Sequence, residues 1–107
     1  MATFRLQPLA SISGNKTQDK ADAVDVEPFK SLVIQVIKPV FGIGTLYIQH
    51  SATLDDFAFA NTGTSFDLNT AENEVKVLSD PLKYLRWNAL WTSGTPKFQI
   101  DVVARKA

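Results

Sequence analysis

From Tyr84 to Arg105 the chain alternates apolar and polar side chains with a period of two, and this pattern limits its fold more than any other feature. In the first arm Leu85, Trp87, Ala89 and Trp91 fall on one side. Tyr84, Arg86, Asn88 and Thr92 fall on the other, with Leu90 as the apolar exception there. In the second arm Phe98, Ile100, Val102 and Ala104 share a side, opposed by Lys97, Gln99, Asp101 and Arg105. Successive side chains of a strand point to opposite faces of a sheet, so the pattern predicts two half-buried antiparallel strands. Ser93-Gly94-Thr95-Pro96 lies between them, a run of turn formers that predicts a hairpin with both tryptophans facing the core.

The same reading extends along the chain. In Ser31–Lys38, Leu32, Ile34 and Val36 make one face, but Val33 and Ile37 make the other apolar as well. Such a strand is either central between two layers or covered on its outside by a partner. Pro39 and Gly42 interrupt the run and Gly44–His50 resumes it, which predicts a second hairpin. Phe4 to Ile12 is a further strand; Pro8 cannot donate to a ladder, so it belongs at an edge or a bulge. Short strands are expected at Ala23–Val26, Ser65–Leu68 and Glu74–Leu78, with a polar loop over Ser13–Asp22 and a turn at Ser79-Asp80-Pro81. Leu54, Phe57 and Phe59 are expected to pack a loop or short strand against the rim. The chain therefore reads as one all-β domain over residues 1–107. Its expected form is a single antiparallel β-sandwich or jelly roll of about seven or eight strands. Residues 1–12 form its N-terminal arm or edge strand.

A chain of 107 residues can bury roughly 65% of its unfolded surface, enough for one core without staples. Eleven basic residues balance eleven acidic ones, so no broad field favours nucleic acid or an anionic membrane. The absence of cysteine excludes disulfides and thiolate metal sites. The N-terminus, Met1-Ala-Thr-Phe-Arg-Leu-Gln-Pro8, has no apolar signal core, and no run reaches membrane-spanning length. These features fit a chain made and used in the cytoplasm, or released by lysis.

Chemistry-bearing groupings are few. His50, the single histidine, precedes Ser51 and then Asp55-Asp56, the residue types of a nucleophilic triad or a metal site. No glycine elbow surrounds Ser51, so a histidine at a strand end is the expected reading. Asp55 and Asp56 with Asn61 or Asp67 could supply oxygen ligands to calcium, but the spacing matches no EF-hand. No phosphate-cradling glycine motif is present. No catalytic residue, metal ligand or cofactor is therefore assigned. Tyr47 and Tyr84 alternate out of phase with the core residues and are candidates for exposed contacts. Arg86 is expected to pair across strands with a carboxylate such as Asp101.

The run Lys83-Tyr-Leu-Arg-Trp87, followed by Ser93-Gly-Thr-Pro-Lys-Phe-Gln-Ile-Asp-Val-Val-Ala-Arg105, resembles the closing strands of small β-sandwich proteins of tailed-phage virions. So does Leu46-Tyr-Ile-Gln-His-Ser-Ala-Thr-Leu-Asp-Asp-Phe57. Such proteins serve as head decoration, minor capsid or tail accessory subunits. The Tyr84-Leu85-Arg86 strand is also similar to the penultimate strand of discoidin-like, galactose-binding jelly rolls, whose extended ligand loops this chain lacks. The first resemblance implies a non-enzymatic virion protein, assembled in the host cytoplasm, whose partners are itself and a major capsid or other virion protein. Its expected contacts are Phe4, Leu6, Leu9, Val33 and Ile37, through strand addition by the N-terminal segment and through an outer apolar face. The alternative is a carbohydrate-binding module with contacts from Tyr47, Asp55, Asp56, Tyr84 and Arg86.

Overall fold

The computed structural model describes residues 2–106. Its strands are β1 (Ala2–Ser11), β2 (Lys16–Thr17), β3 (Val24–Asp25), β4 (Ser31–Ser51), β5 (Ala60–Asp67), β6 (Glu74–Ser79) and β7 (Tyr84–Arg105). Short 3-10 turns occupy Lys20–Asp22 and Asp56–Ala58. All seven strands belong to one antiparallel sheet, and no α-helix occurs among the described residues. The chain is the all-β domain that its alternation predicts.

Neither expected hairpin forms. β4 and β7 are continuous strands of 21 and 22 residues. They pair with each other along their whole length, from Ser31 opposite Arg105 to Ser51 opposite Tyr84. One half of this long ribbon is flanked by β1 on β7 and β6 on β4. The other half is flanked by β2 and β3 on β7 and by β5 on β4. The ribbon bends in its middle, so one sheet doubles over and residues of both halves share one core.

The residues that looked like turns make the bend. Gly94 takes a positive φ of 81°, and a Cβ on it would lie 3.0 Å from the Cα of Gly42. A Cβ on Gly42 would in turn collide with the Pro96 ring. The two backbones cross too closely here for any larger residue. Ile37 faces Gln99 and Gly44 faces Trp91, so seven steps along β4 are matched by eight along β7. That extra residue is a bulge, and bulges both bend a strand and shift its facing. It explains why the inward residues of β7 change from Leu85, Trp87 and Ala89 to Phe98, Ile100, Val102 and Ala104. Trp91, expected in the core, sits at the bend half-buried, with its Nε1 donating to the Gly94 carbonyl at 2.9 Å.

The inner faces interdigitate into one cluster. It includes Leu32, Ile34 and Val36 from one half of β4, Leu46 and Ile48 from the other, and Phe66 and Leu78 from the flanking strands. Each such fully buried side chain contributes about 1.5–3 kcal/mol. Lys38 is buried on this same phase of β4. Its Nζ donates to the Asp67 carbonyl at 2.7 Å and to Thr70 Oγ1 at 3.1 Å, and it pairs with the Glu74 carboxylate. The lysine thereby pins the β5–β6 connection.

Candidate functional site

Two surfaces carry unpartnered chemistry, one apolar and one polar. The apolar surface lies on the outside of the β6–β4–β7–β1 half. Val77 of β6 stands opposite Val33 of β4, which stands opposite Val103 of β7, which stands opposite Thr3 of β1. Directly opposed residues of antiparallel strands point to the same face, so these side chains form one cross-strand row. Val75 and Ile37 share that face. Val77 is 62% exposed and Val75 is 59% exposed. Towards β1 the face turns polar, where Arg5 Nε donates to Asp101 Oδ1 at 3.0 Å. Asp101 is partly buried, which favours the acid form, but the Gln99 amide and Arg5 outweigh this and hold its carboxyl below its ordinary range.

The sheet edges carry bulges and side-chain contacts that hinder further strands. β1 is already paired with β7 and is interrupted by bulges, one of them at Leu6, so it is an edge strand and not a free arm. The Leu6 carbonyl receives the Gln18 side-chain amide at 2.6 Å, and Gln18 Oε1 accepts from the Trp87 N–H at 3.3 Å. This buried glutamine ties one half of the sheet to the other. Across the molecule, Lys76 of edge strand β6 reaches over the Phe66 ring and donates to the Ser65 carbonyl at 2.5 Å. An inward-turned lysine is a known guard against edge pairing.

The expected contact residues therefore divide. Val33 and Ile37 lie on the outer face, and Leu9 is exposed near the bend. Leu6 is a core residue, and Phe4 turns inward, where it meets the Phe29 ring edge-to-face at 5.9 Å. The inward phase of β1 carries Leu6 fully and Phe4 partly under the sheet. Val75 and Val77 were not singled out in the sequence. Their place beside Val33 depends on a pairing between residues some forty positions apart.

The polar surface lies outside the other half. Arg86 of β7 stands opposite Gln49 of β4, which stands opposite Asn61 of β5. Arg86 Nε donates to Gln49 Oε1 at 3.0 Å, and Gln49 Nε2 donates to Asn61 Oδ1 at 3.1 Å. The loop after β4 folds over this row. Phe59 stacks on the guanidinium at 4.0 Å, and Asp56 accepts from an Arg86 terminal nitrogen at 2.9 Å. The expected partner, Asp101, is in the opposite half of the doubled sheet and pairs with Arg5 instead. Tyr47 and Tyr84 share this outer face, on the diagonal and two positions along from Arg86. Asp55 turns away and accepts from the Thr53 hydroxyl at 3.0 Å. Of the loop's apolar residues only Phe59 is buried; Leu54 and Phe57 point to solvent.

His50 and Ser51 do not meet as a nucleophile and base. His50 Nδ1 accepts from the Leu82 N–H at 3.2 Å, and buried Ser51 Oγ accepts from the Thr53 N–H at 3.1 Å. Partial burial lowers the His50 pKa from its ordinary 6.5. Among the described residues no three of His, Asp and Glu converge, so the Asp55, Asp56 and Asp67 oxygens do not form a shared calcium shell.

Compared with known proteins, the chain matches no family model and no curated sequence.

Proposed function

We propose that this chain is a non-enzymatic structural subunit of a phage virion, a capsid-decorating or head-accessory protein that associates with further copies of itself. The observation that carries this reading is the outer-face row Val77–Val33–Val103, extended by Val75 and Ile37, in which Val75 and Val77 are exposed and the others half-buried. An apolar face of this kind on a sheet exterior marks an interaction surface. Strand addition is the less favoured mode, since Gln18 and Lys76 each occupy a carbonyl at the flanks and β1 is interrupted by bulges. A second copy is the favoured occupant of the face. Arg5 and Asp101 border the valines side by side, so a two-fold axis running between them would set each charge against its opposite. The balanced total charge adds no repulsion between copies.

In the virion, assembled in the host cytoplasm, the remaining surface would meet the shell protein. Light scattering of the purified protein over a concentration series tests the reading. A mass that rises to a closed oligomer supports it, and a monomer at every concentration removes the self-associating face.

A further inference from the structure

We propose that the Phe57 ring of one copy seats in a cavity at the ends of the doubled ribbon in a second copy. The proposal rests on the reading of the chain as self-associating. It does not rest on the valine row, which is a separate surface on the outside of β6, β4 and β7. The cavity has a volume of about 390 Å³ and is walled by residues 27–30 and 81–83, the connections that lead into β4 and β7. Backbone bonds tie these walls together. The Val26 N–H donates to the Lys83 carbonyl at 2.7 Å, and the Asp80 N–H donates to the Lys30 carbonyl at 2.8 Å. Pro28, Phe29, Pro81 and Leu82 supply apolar surface, with Leu82 46% exposed. A pocket of about 150 Å³ already holds a benzene ring, so this one has room for a phenylalanine. Two other cavities of similar size have no aromatic ring in their lining.

Phe57 is the matching knob. It is 90% exposed, the most exposed large apolar side chain described. Its loop is tied down on both sides of the ring. Asp56 Oδ1 accepts from Arg86 at 2.9 Å, Ser51 Oγ accepts from the Thr53 N–H at 3.1 Å, and the Ala58 N–H donates to the Asp55 carbonyl at 2.9 Å. A knob already fixed in water gives up little conformational freedom on docking, which suits an aromatic anchor at an interface.

Charge selects the occupant. Between Ser51 and Ala60 the loop carries Asp55 and Asp56 and no basic residue. The cavity carries Lys30 and Lys83 against one acid, Glu27. Among the described residues neither lysine is in an ion pair. An acidic loop tipped by an aromatic ring thus meets a basic cavity with an aromatic in its wall, and every copy has both. Knob and cavity also belong to the same end of the ribbon, where Ser51 stands opposite Tyr84 and His50 accepts from the Leu82 N–H. One two-fold axis can therefore seat both rings at once, each copy giving a knob and a cavity.

The test is light scattering over a concentration series on the native chain and its variants. With the valine row as the other contact, the native mass should exceed that of a dimer. Phe57→Ser should stop at a dimer held by the valines, Val77→Asp at a dimer held by the ring, and the double variant should be a monomer. Added to Val77→Asp, Lys83→Glu should weaken the remaining dimer by about tenfold or more. Unfolding midpoints should stay native throughout, since Phe57 and Val77 are exposed. A mass lowered by Phe57→Ser but untouched by Val77→Asp supports the proposal and removes the valine row. A mass that Phe57→Ser leaves unchanged, or a dimer indifferent to Lys83→Glu, overturns the proposal while the valine contact stands. A native monomer at every concentration overturns both.

Discussion

Trp87 and Phe98 stand eleven positions apart on the same strand, yet their rings meet edge-to-face with centroids 5.1 Å apart. Eleven residues of straight strand would separate them by roughly 36 Å. The contact is therefore a direct measure of how completely β7 doubles back, and it joins the two halves of the sheet through the core. Truncating it by Phe98→Ala should destabilise the fold by about 3–5 kcal/mol, through lost burial and the cavity left behind. Trp87→Phe keeps a ring in place and loses mainly the bond from Nε1 to Gln7 Oε1, a change of about 1 kcal/mol. Urea unfolding of both variants checks this order; equal losses would mean that the ring contact does not hold the halves together.

Lys38 offers a second test. Replacement by Met keeps most of the buried stem but removes the ammonium that bridges Asp67, Thr70 and Glu74. The Asp67 carbonyl and the Glu74 carboxylate lose their partner, and an expected loss of about 2–3 kcal/mol follows, moderated because Glu74 retains contact with water. Hydrogen exchange should quicken first in residues 67–74. Uniform change across the sheet would contradict the pinning role.

The single histidine makes a pH prediction with a definite sign. Burial depresses the His50 pKa below 6.5, so as the pH falls the unfolded chain takes up the proton before the folded chain does. The stability linked to His50 is fully present above 6.5 and is lost as the pH falls through the lower folded value. Protonation also removes the acceptor for the Leu82 N–H. His50→Gln should flatten the stability profile between about pH 7 and 5. Asp101, whose carboxyl is held below its ordinary 3.8, acts only in the more acid range, where stability present above that value is lost as the pH falls. Urea midpoints at the two ends of the first window decide the matter, and an unchanged slope in the variant would rule out His50 as its source.

For assembly, Val77→Asp and Val33→Asp should reduce the oligomeric mass while leaving the unfolding midpoint near that of the native chain. Both side chains lie on the outer face, Val77 exposed and Val33 half-buried, so the substituted carboxylate keeps access to water in the monomer. Phe4→Ala is the contrasting variant. It should lower stability through its contact with Phe29 and leave the oligomer of the folded protein intact. The reverse pattern would return the interface to the N-terminal strand.

What the sequence determined by itself was local. Alternation placed Leu85, Trp87 and Ala89, and then Phe98, Ile100, Val102 and Ala104, on the buried side, because side-chain facing in a strand depends only on neighbouring residues. It also marked Val33 and Ile37 as an apolar second face. Pairing is a long-range matter, and there local signals misled. Gly94 and Pro96 carry turn chemistry, but their conformations serve the crossing of β4 and β7 at Gly42, which no short window reveals. Val75 and Val77 join the outer face only because β6 lies beside β4. Arg86 meets Asp56 and not Asp101 because the doubling of β7 sends its two ends into opposite layers. The alternation wrote the strands and their inner faces; the bend in one long ribbon decided which strands, charges and apolar side chains would meet.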